Sequence, residues 1–194
     1  MKSLKLLAIG IALSLSSVAA AQKVAVKTNL IGDALLSPNI GVEVGVAPRW
    51  TVEVPFSFNG WTLNNGRKWK HWFVQPGARY WFCDRFLGHF VGMHAHGGKY
   101  NVGSLPGGFK FLGTNFGALE HNRFQGWFVG AGISYGYSWI LGKHWNVEAE
   151  IGLGWAYTRY DRFECAGCGR KVERNRVHNY VGPTKAALSV VYMF

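Results

Sequence analysis

The chain has 194 residues, with 9 Trp, 8 Tyr and 13 Phe beside 26 Gly, 16% charged residues and a formal net charge of +11. That many rings excludes a disordered chain, and the charged fraction falls well below the roughly one quarter of ordinary soluble domains. After residue 21 no uninterrupted apolar run is long enough for a membrane helix, which leaves an exported β-protein as the expected class.

Residues 1–21 read as an export signal: a basic start (Lys2, Lys5), an apolar run from Leu6 to Val18, and Ala19-Ala20-Ala21 before Gln22. The domain is then 22–194. From Val24 onward, apolar residues recur at every second position. Val24, Val26 and Leu30 alternate with Ala25, Lys27 and Asn29. Ile40, Val42, Val44 and Val46 follow, then Trp50, Val52, Val54, Phe56 and Phe58. Trp72, Val74, Ala78, Tyr80 and Phe82 form a fourth set, and Val91, Met93 and Ala95 a less regular fifth. The two longest sets run from Trp127 to Trp139 and from Trp145 to Tyr157, with aliphatics in the middle and aromatics at both ends. Ala186, Leu188, Val190, Tyr192 and Phe194 close the chain. Period-two alternation predicts strands, and rings at both ends of an outer stripe match the two interfaces of a bilayer.

Connections alternate in length: 47–49, 83–85 and 141–144 are tight, whereas 33–38, 60–69, 98–122 and 160–183 are long. The expected fold is therefore all-β: an eight-stranded antiparallel up-and-down transmembrane β-barrel in the outer membrane, both termini on the short-turn side. Its interior is just filled by side chains. A soluble lipocalin-like binder, with the apolar face inward, is the alternative. It would leave a nearly all-Gly/Ser face exposed. Tyr192 and Phe194 look like the C-terminal signal read by the barrel assembly machinery.

The polar face places Lys27, Glu43, Glu53, Arg79, Glu148, Glu150 and Lys185 in the lumen, with His71, His94 and His96 nearby. Charges in a narrow lumen must pair, so a structural network is expected. The alternative is a general acid/base pair of Glu148 and Glu150, about 7 Å apart on strand geometry. An outer-membrane lipid-modifying enzyme would need Ser and His together on the wall. Neither Gly-x-Ser-x-Gly nor His-x-Ser occurs, and His89 is the one histidine whose register faces outward, so a non-enzymatic role is expected. Cys165 and Cys168 read as a disulfide in an oxidising compartment; half of a zinc site or free thiols are the alternatives. Neither a metal nor a cofactor is expected. The long connections carry the excess positive charge. Arg67, Lys68, Lys99, Lys110, Arg170, Lys171, Arg174 and Arg176 are the candidate contacts for lipopolysaccharide phosphate. Nucleic acid is a poor partner in this compartment.

Several blocks resemble the Bacteroidetes family DUF3575. They are Val24-Ala25-Val26-Lys27-Thr28-Asn29-Leu30, Ser37-Pro38-Asn39-Ile40-Gly41-Val42-Glu43, Gln75-Pro76-Gly77-Ala78-Arg79-Tyr80-Trp81-Phe82, Gly88-His89-Phe90-Val91-Gly92, Tyr100-Asn101-Val102 and Gly182-Pro183-Thr184-Lys185-Ala186. The resemblance spans the mature chain. It implies an outer-membrane barrel and a link to surface fimbriae or another envelope complex, and it supplies no activity.

Overall fold

The computed structural model describes residues 23–62, 68–103, 110–111, 114–115, 118–165, 167 and 169–194. The expected leader, Arg67 and Cys168 lie outside them, as does the side chain of Lys110.

The strands are β1 (Val24–Asn29), β2 (Asn39–Ala47), β3 (Trp50–Asn59), β4 (Lys68–Val74), β5 (Gly77–Trp81) and β6 (Gly88–Gly103), then β7 (Lys110–Phe111) and β8 (Thr114–Asn115). Three long strands complete the chain, β9 (Arg123–Ile140), β10 (Trp145–Phe163) and β11 (Lys171–Met193). Two short helices are α1 (Leu30–Ala34) and α2 (Ala118–His121). All strands but β7 and β8 belong to one sheet. Every pairing in it is antiparallel, and β1 against β11 closes the ring, with Ala25 opposite Met193 and Thr28 opposite Val190.

The sheet has nine strands where the sequence predicts eight. β4 and β5 lie end to end between the same two neighbours, β3 and β6. Gln75-Pro76 separates them, because proline has no N–H to give the ladder. The ladder resumes at once: Gln75 N–H donates to Pro55 O (3.0 Å) and Ala95 N–H to Pro76 O (2.9 Å). Leu30, predicted within the first strand, instead opens α1, where the Asn29 side chain accepts from the Ile31 N–H and caps the helix.

Three strands are longer than their hydrophobic patterns. β6 continues to Gly103, and β10 and β11 stay paired from Trp155↔Val181 up to Phe163↔Lys171. The expected connections 98–122 and 160–183 are correspondingly shorter. Around Lys171–Val181 most side chains on both strand faces are exposed, so nothing forces alternation there.

Within the ring the facing is the reverse of a soluble barrel. Glu43 is 0% exposed while Ile133 is 72% exposed, and Ile40, Val54, Met93, Ile151 and Leu153 also point outward. At the short-turn end Ala25, Trp81, Phe86, Phe90 and Val191 form a buried cluster, with Trp81 and Phe90 centroids 4.6 Å apart. The Trp81 indole donates to Thr51 Oγ1 at 3.0 Å, and the Asn146 amide donates to Phe86 O at 2.8 Å. Inward glycines of β9 make room for large neighbours: a Cβ at Gly136 would meet Phe90 Cε1 at 2.8 Å, and one at Gly132 would meet His94 Nε2 at 2.8 Å.

Candidate functional site

Above the aromatic cluster the lumen carries one ionic layer. β1 supplies Lys27, β2 Glu43, β3 Glu53, β5 Arg79, β10 Glu148 and Glu150, and β11 Lys185. All seven are buried. Period two turns each inward, and register brings them level. Glu43 sits directly opposite Glu53, a repulsive cross-strand pair on its own. Lys27 bridges it, at 2.7 Å from Glu43 Oε2 and in contact with Glu53 Oε2. Arg79 is the hub. Its Nη1 lies 3.0 Å from Glu43 Oε2 and 2.9 Å from Glu148 Oε2; its Nη2 lies 3.0 Å from Glu53 Oε2 and contacts Glu150 Oε2. Lys185 lies 2.9 Å from Glu150 Oε1 and also contacts Glu53 Oε1. The Arg79 guanidinium stacks 4.5 Å from the Phe90 ring centroid, which ties the layer to the aromatic cluster below.

A cavity of about 500 Å³ lies on the long-connection side of this layer. Its floor includes Lys27, Glu53, Arg79, Glu150 and Lys185, and Leu35, Trp69, Phe73, Tyr100 and Phe128 are among its walls. His94 reaches Thr184 Oγ1 at 2.9 Å beside it, and the His96 ring stands 5.7 Å from that of His94. Glu148 and Glu150 both spend an oxygen on Arg79. That suits a structural tie. The outward-facing His89 bonds Tyr135 Oη at 2.6 Å and stands edge-on to Tyr137, so its ring partners are phenols.

A family model described as a protein of unknown function, DUF3575, matches residues 6–194. The chain belongs to the DUF3575 family. The family assigned from the residue blocks is therefore the right one. Among solved structures the DUF3575 chain is similar to Neisserial surface protein A, at 14% identity and a TM-score of 0.38, over 89% of this chain and 96% of that one. No curated protein matches it.

The candidate basic contacts of this DUF3575 chain do not form one loop patch. Lys68 opens β4 and Lys99 lies within β6, so both belong to the wall of the ring. Arg170 precedes β11, and Lys171, Arg174 and Arg176 stand on it, all exposed. Lys171 pairs with Asp161 at 2.7 Å, and Arg176 lies 3.7 Å from Glu173. The hydrogen bond from Lys171, and a second from the Asn175 N–H, hold the Asp161 carboxyl below the usual range. Cys165 is disulfide-bonded, while Cys83, between β5 and β6, is free and exposed. Phe194 is 72% exposed, its N–H donating to Val24 O at 2.9 Å, and Tyr192 meets it edge-on at 5.0 Å.

Lys70 and Arg159 belong to the same outward wall as Lys99 and were not among the candidate contacts. The signal was available: each lies an even number of residues from an outward ring on its own strand, Trp72 for Lys70 and Trp155 for Arg159.

Proposed function

We propose that this chain is an outer-membrane β-barrel of eight staves, counting β4 and β5 as one. It serves as a non-enzymatic surface or accessory protein with a basic β10–β11 hairpin directed outward. The observation that carries this reading is the inverted facing: seven charged side chains inside and an apolar, largely aliphatic band outside. Rings bound that band at both ends. Trp50, Tyr80, Trp139, Trp145 and Tyr192 stand at the short-turn end, and Trp72, Trp127 and Trp155 at the other. Between Trp127 and Trp139, β9 covers about 40 Å of extended chain, or about 28 Å along the axis at ~45° tilt, a match to hydrocarbon thickness.

With long connections outward, the hairpin presents Arg170, Lys171, Arg174 and Arg176 at the cell surface. An anionic protein partner docks there, a fimbrial or other envelope protein. The filled lumen makes the barrel an anchor. In planar bilayers the purified protein is expected to give no stepwise conductance, because the ionic layer and the Trp81–Phe90 cluster fill its bore. Sustained channel steps would overturn that role.

Orientation has its own test in Cys83, a free thiol at the short-turn end. A membrane-impermeant maleimide is expected to spare it in intact cells and to label it once the outer membrane is permeabilised. Labelling on intact cells would put the short turns outside and reverse the assignment.

A further inference from the structure

The wall cations form a site of their own. Cross-strand register sets Trp72 opposite Lys99, Lys99 opposite Trp127, and Trp127 opposite Arg159. Ring and cation thus alternate in a single row across β4, β6, β9 and β10. One row further from the aliphatic band come Lys70, Asn101, Gln125 and Asp161, again in register. Both rows line one outward groove of about 760 Å³.

The charge in this groove is uncompensated. All ten acidic residues of the chain lie among the described residues, and Lys70, Lys99 and Arg159 form no ion pair with any of them. Asp161 is already engaged by Lys171 and by the Asn175 N–H. Lys68, which opens β4 next to the row, adds a further cation. Asn101 Oδ1, one row beyond Lys99, is buried with no hydrogen-bond partner.

Lys99 and Arg159 stand two strands apart, about 10 Å between backbones, so their long side chains can close on one phosphate from both sides. Trp72 and Trp127, each 40% exposed, mark the depth at which headgroup meets acyl chain. Val129 and Ala131 continue outward below them as an acyl surface.

We propose that this lateral groove binds the phosphate of a membrane lipid headgroup, gripped by Lys70, Lys99 and Arg159 along the row that carries the two tryptophans. The proposal rests on the membrane reading above. It deepens the expected lipopolysaccharide contact and moves it from the loops to the wall.

The test uses the whole protein in mild detergent, with bisphosphorylated lipid A as probe and native mass spectrometry as readout. Wild type is expected to retain one lipid. The variant Lys70→Gln/Lys99→Gln/Arg159→Gln is expected to retain at least about tenfold less, the effect of losing charge-assisted bonds. The hairpin variant Arg170→Gln/Arg174→Gln/Arg176→Gln should bind as wild type does. Heat-modifiable migration on a gel checks that each variant is folded; if the triple variant is not, Lys99→Gln alone must still lose lipid. Retention unchanged by the wall variants overturns the proposal. So does equal retention of the dephosphorylated lipid, and so does displacement by excess inorganic phosphate, which would mean a free-anion site. Release of wild type from native membranes by carbonate would instead sink the membrane reading, a failure seen without any lipid probe.

Discussion

Arg79→Ala is expected to lower the folding stability of the barrel by about 3–5 kcal/mol, the usual effect of removing one member of a buried ion network. Arg79 touches all four buried carboxylates, and among the described residues no other side chain does. Without it, Lys27 and Lys185 face four glutamates, and of the two lysines only Lys27 touches both members of the cross-strand pair Glu43 and Glu53. The measurement is the denaturant midpoint for loss of the heat-modifiable band. Arg79→Lys should fall between, since an ammonium keeps the charge but not the planar fork that reaches four partners. Adding Glu148→Gln to Arg79→Ala should recover part of the loss by removing one excess buried charge. A shift under about 0.5 kcal/mol for Arg79→Ala would mean that water, not Arg79, solvates the glutamates.

Which parts of this were legible in the sequence follows from what each strand faces. β9 and β10 could be read almost residue by residue because their two faces meet different media: Ile133 is 72% exposed while Ser138 is 1% exposed. The same parity placed Lys27, Glu43, Glu53, Arg79, Glu148, Glu150 and Lys185 inside. Parity fixes only the side, however. That Arg79 rather than either lysine is the hub depends on the stagger between β5 and β10, strands that share no register pair and carry no sequence signal linking them.

The misread segments share a different cause. Gly98–Gly103 of β6 and Lys171–Val181 of β11 leave the zone where one face must be apolar, so their ladders continue without alternation. Lys99 and Lys68 were counted as loop charges for that reason. The Pro76 break was visible as a proline, yet Val74, Ala78 and Tyr80 keep the same parity across it, and the period alone reads as one strand. α1 is too short for helical periodicity and declares itself only through the Asn29 cap.

The second large effect separates a membrane barrel from any soluble one. Ile133 lies midway between Trp127 and Trp139 on β9, with the outward Met93 and Leu153 directly opposite on its two neighbours. On the proposed membrane reading Ile133 faces lipid at the bilayer centre, and Ile133→Arg is then expected to destabilise the barrel by about 2–4 kcal/mol in reversible folding into lipid vesicles. On a soluble barrel the same exposed position would tolerate arginine within about 0.5 kcal/mol. Gln125→Arg supplies the depth control: it is exposed on the same face of the same strand but beyond Trp127, so its effect should be about 0–1 kcal/mol. Depth must order the two results, because the penalty comes from taking a guanidinium out of water and grows with distance from the interface. If Ile133→Arg and Gln125→Arg shift stability equally little, the aliphatic band does not face lipid, and the lateral phosphate groove loses the membrane it depends on.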